Sequence, residues 1–203
     1  MDCPSAGRLS SGADFGDTER WHVITFLRAF GAASDVRRIG MEVEPDRAWL
    51  AAPDFTISVG PLTPRTLRDY RGQRMVLLVL YDLSQSRTRM AELARHYGTL
   101  SVLRVEVVAV PPRASPSAIA ELGASPPVLF PVVTDGNEDI VATYRLFTPG
   151  EAHAELLIDR QGYIRAIWRS DQTGMPDATA VQAQVERLNE EKAPPPLPDD
   201  HVH

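Results

Sequence analysis

An unbroken run of apolar residues, Val76 to Tyr81, dominates the pattern of hydrophobic and polar positions along the chain. Because apolar and polar positions do not alternate within the run, it predicts a strand buried on both faces in a parallel or mixed sheet. The apolar residues that follow have helical spacing and are Met90, Leu93, Ala94 and Tyr97. This spacing predicts an amphipathic helix with Ser84 or Ser86 as its N-cap and Gly98 as its end.

The remaining pattern predicts further strands and helices in alternation. In chain order they are an edge strand at 55–59, a short helical turn at 67–70, a buried strand at 103–110, a helix at 115–122, a short strand and a helix within 130–147, a hairpin at 153–168 and a helix that begins near Asp177. Strands that alternate with helices are typical of an α/β domain with helices packed on its sheet.

The chain is divided into four predicted parts: an N-terminal extension (1–35), a linker (36–52), a folded domain (53–192) and a Pro-rich tail that ends in histidine (193–203). Within the extension, the sequence from Thr18 predicts one helix with Trp21 and Phe26 in its apolar stripe. One short helix cannot bury that stripe alone. It must therefore pack on the domain, on a second copy, or on sequence outside this chain.

The composition narrows the class of protein. The 203-residue chain is 43% hydrophobic and 24% charged, as in soluble globular proteins. Its net charge of −6 argues against a nucleic-acid-binding or polybasic membrane surface. No window reaches the roughly 18 apolar residues of a membrane span, and the first residues lack the apolar core of a signal peptide. The chain is expected to be soluble, with a periplasmic location if it is a fragment of a larger exported fusion.

Four segments of the predicted domain follow one another along the chain: APDFTISVGP, TLRDYRGQRMVLLVLY, FPVVTDGNEDIVATYRLF and HAELLIDRQGYIRAIW. Their residues and their order resemble the redoxin and peroxiredoxin (AhpC/TSA) superfamily. The resemblance implies an α/β thioredoxin-like fold, with a mixed central sheet flanked by helices and an N-terminal helical extension. It also implies that the turn after the central strand is the place of a reactive cysteine, because a helix N-terminus stabilises a thiolate.

That turn carries no cysteine. The family's Arg-x-x-Met-x-Glu-Leu run matches residues 87–93, which places Ser86 at the second cysteine of the redox motif and Leu83 near the first. The degenerate redox turn is therefore Leu83, Ser84, Gln85 and Ser86. Because a serine supplies no usable thiolate at neutral pH, peroxide reduction and disulfide exchange are excluded by mechanism and no catalytic residue is predicted. The single cysteine, Cys3, cannot form an intramolecular disulfide and is interpreted as an incidental thiol.

The two serines of the turn are also poor candidates for a hydrolytic nucleophile. Such a serine needs a general base and an oxyanion site. His96 lies near the other end of the same predicted helix, and no G-x-S-x-G motif is present. Helix N-capping is the favoured interpretation of Ser84 and Ser86.

The N-terminal extension resembles a second family. Its segment ERWHVITFLRAF is similar to the last helix of small c-type cytochrome domains, although the chain has no C-x-x-C-H haem attachment site. Together with the segment order of the domain, this likeness makes the chain similar to redoxin modules fused to cytochrome c and copper resistance protein D. The resemblance implies a cytochrome c or a membrane copper protein as partner, and copper as a possible ligand.

Three histidines are candidate metal ligands. His153 occupies the position at which the thioredoxin family places its cis-proline, and a hydrogen-bonded histidine beside the turn is favoured over a single weak copper ligand. His201 and His203 have H-x-H spacing, which could bind Cu(II), Ni(II) or Zn(II) at an open site, although a solvated tail is the default interpretation.

The sequence leaves three hypotheses open. The favoured one is a redox-inactive thioredoxin-like module that acts in binding or assembly, as an accessory in copper handling or resistance, and not as an enzyme. The second is a thiol-dependent peroxidase or oxidoreductase of the redoxin family. The third is a structural fragment that docks on a cytochrome c partner through Trp21, Phe26 and Phe30.

Overall fold

A computed structural model describes residues 39–48, 50–113, 128–170 and 175–192. The helix predicted in the N-terminal extension, the helix predicted at 115–122 and the tail with His201 and His203 lie outside the described residues.

The centre of the fold is a five-stranded mixed sheet. Along the described residues the strands are β1 (Leu50–Ala51), β2 (Thr56–Ile57), β3 (Arg65–Thr66), β4 (Met75–Tyr81), β5 (Val105–Val110), β6 (His153–Ile158) and β7 (Tyr163–Arg169). The spatial order of the large sheet is β1-β7-β6-β4-β5, and β2 and β3 form a separate antiparallel pair. β4 lies between β5, to which it is parallel, and β6, to which it is antiparallel. Every residue of β4 is buried, as the unbroken apolar run predicts.

Helices cover both faces of the sheet. They are α1 (Leu83–Val102), α2 (Asn137–Tyr144) and α3 (Ala178–Glu190), and a 3-10 helix spans Leu67–Tyr70. The apolar residues of α1 and α3 pack against Leu77 and Val79 of β4. Those of α2 and the 3-10 helix pack against Val76 and Leu78 on the opposite face. This mixed sheet between helices confirms the predicted fold class.

The start of α1 differs from the prediction. Asp82 is the N-cap, and its carboxylate accepts hydrogen bonds from the backbone N–H of Ser84 at 2.9 Å and from the Ser84 hydroxyl at 2.7 Å. The prediction of a serine cap was therefore wrong, because an aspartate directly after the strand reaches the free N–H groups first. The helix also continues past Gly98 to Val102, which places Leu100 in the core at 1% exposure.

Replacing Asp82 with alanine is expected to lower the free energy of unfolding by about 1 kcal/mol, because the first turn of α1 loses its capping acceptor. Ser84→Ala is the matched control and should change stability by less than about 0.5 kcal/mol, since Ser84 is an exposed surface residue. Urea unfolding followed by circular dichroism measures both changes. Equal effects of the two substitutions would contradict the assignment of the cap.

Residues on the N-terminal side of Pro53 form part of the domain. Leu50 of β1 pairs with Ile164 of β7, and Ile39 and Val43 are buried in the two halves of the core. The described part of the predicted linker therefore contributes buried side chains to the core, while residues 44–47 are exposed.

Candidate functional site

The degenerate redox turn and the start of β6 meet at one end of the sheet. Strand β4 ends at Tyr81, and only Asp82 separates it from α1. Tyr81 pairs across the sheet with His153, the first residue of β6. The cross-strand pairing thus brings the turn predicted to correspond to the redox motif next to the residue predicted to occupy the cis-proline position.

Ser86 and His153 are in direct contact. The Ser86 hydroxyl lies 2.8 Å from Nδ1 of His153, and Nε2 of the same ring lies 3.0 Å from Oε1 of Glu155. The carboxylate can only accept, so Nε2–H donates to Glu155, and in a neutral ring Nδ1 then accepts from the hydroxyl of Ser86. Ser86 is 1% exposed, His153 4% and Glu155 0%.

An arginine completes this buried group. Arg89 donates from Nε and Nη2 to the two oxygens of Glu155, at 2.7 and 2.9 Å, and from Nη1 to Glu92 at 2.9 Å. Glu92 also accepts a hydrogen bond of 2.8 Å from the backbone N–H of Ala178, at the start of α3. We call Ser86, Arg89, Glu92, His153 and Glu155 the buried network; Glu92 lies at its edge, with 28% of its side chain exposed. The network joins α1, β6 and α3.

The electrostatics of the network favour an ionised Glu155. Burial alone raises the pKa of this carboxyl, but the hydrogen bonds and charge of Arg89, together with His153, outweigh burial and hold the pKa below its usual range. A buried carboxylate is tolerated only when it is paired and its oxygens are hydrogen-bonded. Both conditions are met, because the Arg89 fork is bidentate and His153 supplies a further donor.

The order of groups from Ser86 through His153 to Glu155 is that of a hydrolytic triad, but the burial argues against that chemistry. A nucleophilic serine must reach a substrate carbonyl beside oxyanion donors. The hydroxyl of Ser86 instead lies beneath the first turn of α1, and its proton is committed to His153. The arrangement fits a polar support for the helix start better than a nucleophile.

The other residues of the degenerate turn are nearer the surface. Leu83 is half-buried, whereas Ser84 and Gln85 are exposed. The structure therefore separates the turn into an outer part that a partner can touch and an inner residue, Ser86, that belongs to the buried network.

No group of three or more histidine, cysteine, aspartate or glutamate side chains suited to a metal ion occurs in the part of the chain that the structure describes. Both ring nitrogens of His153 are already hydrogen-bonded, so a metal at this position would have to break one of these bonds.

Among the described residues, no helix has the length and apolar character needed to cross a membrane.

Sequence reasoning singled out Ser86 and His153 but missed Arg89, Glu92 and Glu155. One signal was present, since Glu155 interrupts the otherwise apolar stretch from Ala154 to Ile158. A charged residue inside a buried strand requires a partner. The pattern could thus have predicted a buried ion pair, although not which arginine provides it.

The topology and the site's position define a thioredoxin-like protein. Residues 50–167 match the family model described as AhpC/TSA, and the chain belongs to the AhpC/TSA family. No curated protein matches the sequence.

Solved structures of several thioredoxin-like proteins are similar to the chain. One is a protein assigned as the thiol:disulfide interchange protein DsbE from Chlorobium tepidum, with a TM-score of 0.55, 21% identity and coverage of 71% of this chain and 99% of that chain. Another is the mitochondrial 2-Cys peroxiredoxin from Plasmodium falciparum, with a TM-score of 0.54, 21% identity and coverage of 71% and 93%. At this identity the likeness establishes the fold alone.

Proposed function

We propose that this chain is a redoxin-type module that works by binding a protein partner and not by thiol chemistry. The observation that carries the proposal is the state of Ser86. At the position matched to the second redox cysteine, the chain has a serine that is buried and hydrogen-bonded to His153. The residue at this matched position thus stabilises the start of α1.

The absence of thiols from the turn removes the chemistry itself. Disulfide exchange needs a thiolate that attacks and a second thiol that resolves the mixed disulfide. Leu83 and Ser86 can do neither, and the one cysteine of the chain, Cys3, lies far from the turn in sequence. What the site retains is a rigid helix start fixed by Asp82 and the buried network.

The outer part of the turn supplies a surface for a partner. Ser84 and Gln85 are exposed there, and Leu146 is 77% exposed. Arg145, the neighbour of Leu146, lies close enough to contribute to lowering the pKa of Asp82, after the hydrogen bonds from Ser84. These exposed side chains are where we propose that a partner binds.

The partner that we propose is a cytochrome c or a membrane copper protein, with the chain as an accessory in copper handling. This part of the proposal is supported by the resemblance to redoxin modules fused to such proteins and by the H-x-H spacing of His201 and His203. In such a fusion the module would be periplasmic. A docking role for Trp21, Phe26 and Phe30 belongs to the same proposal.

Peroxide consumption and insulin reduction by the purified chain test the central claim. We expect neither reaction to exceed the buffer rate, and we expect Cys3→Ala to behave as the parent does. The similarity to thiol-disulfide proteins and peroxiredoxins favours the alternative of a redox enzyme. Turnover that persists in Cys3→Ala would establish that alternative and contradict the proposal.

Titration calorimetry with Cu(II) and Cu(I) tests the copper part separately. We expect stoichiometric binding that is lost in a variant ending at Pro198 and retained in His153→Ala, because the imidazole of His153 is committed to the buried network. Affinity no better than about 1 mM, or about −4 kcal/mol, would rule out copper handling by this chain and leave protein binding as its function.

A further inference from the structure

Three arginines lie at the end of the sheet opposite Ser86 and have no ion-pair partner in the part of the chain that the structure describes. They are Arg71, Arg104 and Arg160. Arg71 follows the 3-10 helix, Arg104 joins α1 to β5, and Arg160 lies in the turn between β6 and β7. We call these three residues the arginine cluster.

The strand register places the arginine cluster in one region. Met75 of β4 pairs with Val105 in the parallel direction, and Val76 pairs with Ile158 in the antiparallel direction. Extending both registers towards the start of β4 places Arg74 between Arg104 and Arg160. Adjacent strands are about 4.8 Å apart, so these side chains begin from neighbouring positions.

Backbone hydrogen bonds fix the same arrangement. The N–H of Met75 donates to the carbonyl oxygen of Arg104 at 2.9 Å, and the N–H of Gly72 donates to that of Arg160 at 2.8 Å. The second bond places the Arg71–Gly72 segment against the β6–β7 turn. Like charges at facing positions of a sheet are destabilising, so this end of the fold holds charges that repel one another.

Nearby carboxylates are engaged elsewhere. Glu106 is shared between Arg74, at 3.4 Å, and the hydroxyl of Tyr97, at 2.7 Å. Asp159 and Glu191 both bind the buried Arg165, at 3.0 and 2.8 Å. The arginine cluster therefore keeps its positive charge in a chain whose net charge is −6.

Two members of the cluster carry a donor without an acceptor. Nε of Arg71 and Nε of Arg160 are buried and have no hydrogen-bond partner among the described residues. A buried donor without an acceptor is costly and uncommon in native structures. Arg160 also donates from Nη2 to Oδ1 of Asn189. Burial and the neighbouring Arg104 lower the pKa of Arg160, against the opposing charge of Asp159. An anion bound by the outer N–H groups of the cluster would neutralise the repulsion.

Arg104 occupies a position where glycine is usual. Its φ is 62°, and its N–H donates to the carbonyl oxygen of Ser101 at 3.0 Å as α1 ends. This left-handed position after a helix favours glycine, because a side chain is strained there. Strained residues that persist are often found at functional sites. A role of the Arg104 guanidinium in binding an anion would explain why a strained arginine stands here in place of glycine.

We propose that Arg71, Arg104 and Arg160 form a binding site for a phosphate-type dianion. Guanidinium groups bind phosphate through pairs of parallel N–H···O bonds, and several neighbouring guanidinium groups suit a doubly charged tetrahedral anion better than a single carboxylate. The phosphate can belong to a soluble ion or to a lipid headgroup, which share this chemistry. The site stands apart from the buried network and does not depend on the function proposed for the degenerate turn.

The test uses the full chain and two probes. Titration calorimetry with inorganic phosphate measures the soluble ion, and co-sedimentation with phosphatidylcholine vesicles that contain phosphatidic acid measures the headgroup. Arg104→Gly and Arg160→Ala are each expected to weaken binding at least about tenfold, the change expected for loss of a charge-assisted contact. Arg95→Ala, which removes an exposed arginine from the middle of α1, is the matched control and should bind as the parent does.

Arg104→Gly also separates a binding role from a structural one. Glycine relieves the strain, so the midpoint of thermal unfolding should rise by about 2 °C while phosphate binding falls. If the parent binds phosphate and both variants lose that binding, the site is supported with a soluble ion as its ligand. If the parent binds only the acidic vesicles and both variants lose that binding, the site is supported with a lipid headgroup as its ligand. Absence of binding to either probe at millimolar concentration, or equal binding by parent and variants, would overturn the proposal.

Discussion

Replacing Arg89 with alanine is expected to lower the free energy of unfolding by about 3–5 kcal/mol, the cost of breaking a buried ion pair by removing one partner. The reason is that Glu155 would remain fully buried without its bidentate partner, and His153 alone cannot compensate a carboxylate in the core. Urea unfolding followed by circular dichroism measures the change.

Two further variants are compared with Arg89→Ala. Arg95→Ala removes an exposed arginine from the same helix and should cost less than about 0.5 kcal/mol. The double variant Arg89→Met with Glu155→Gln removes both charges and keeps an acceptor for His153, so it should recover more than half of the loss, or about 2 kcal/mol. A double variant as unstable as Arg89→Ala would show that the cost arises from packing and not from an uncompensated charge.

The pH dependence follows from the lowered pKa of Glu155. A carboxyl whose folded pKa is lowered stabilises the fold above its unfolded pKa, and this contribution is lost as the pH falls through the folded value. The parent should therefore lose stability below the normal range of glutamate. The double variant should lose less over the same interval, because residue 155 no longer titrates.

Placing cysteines at positions 83 and 86 in a Cys3→Ala background is expected to create thiol–disulfide exchange activity that the parent lacks. The two positions are three residues apart in the first turn of α1, where side chains face each other closely enough for a disulfide. The helix N-terminus lowers the pKa of a thiol there. The cysteine at the half-buried position 83 would attack the substrate disulfide, and the cysteine at the buried position 86 would resolve the mixed disulfide.

Insulin reduction in the presence of dithiothreitol measures the gain, which should be roughly tenfold or more over the uncatalysed rate, since the rate follows the thiolate fraction of the attacking cysteine. Ser84→Cys in the same background is the control, because it adds an exposed thiol on the same turn without a partner three residues away. If the double variant has two titratable thiols but no activity, the missing cysteines are not the reason for the inactivity of the parent. His153 would then be the next residue to replace.

Much of the fold could be predicted because burial determines which positions of the sequence are apolar. β4 was predicted from an unbroken apolar run, the β6–β7 hairpin from two apolar segments joined by a turn, and α3 from apolar residues at helical spacing. The N-cap of α1 was harder to predict, since Asp82, Ser84 and Ser86 are all residues that cap helices well. Position relative to the end of the strand decided among them, and this is a feature of three-dimensional structure.

The candidate site was only half predictable. The resemblance located Ser86 and His153, but the partner of Glu155 lies 66 positions away in the sequence. Local pattern carries no information about pairs so distant. The arginine cluster could not be predicted for a related reason. The net charge of −6 describes the whole chain, whereas the strand register brings a few positive residues together at one end of the sheet.

The hydrogen bond from Ala178 to Glu92 has a consequence for how the domain opens. Glu92 also accepts from Arg89, and Arg89 binds Glu155, so hydrogen bonds connect the start of α3 through α1 to a fully buried carboxylate. Local unfolding of α1 removes Arg89 from that carboxylate and carries the cost of an unpaired buried charge. The two helices and β6 should exchange their amide hydrogens as one cooperative unit, because the buried network joins α3 to α1 and β6.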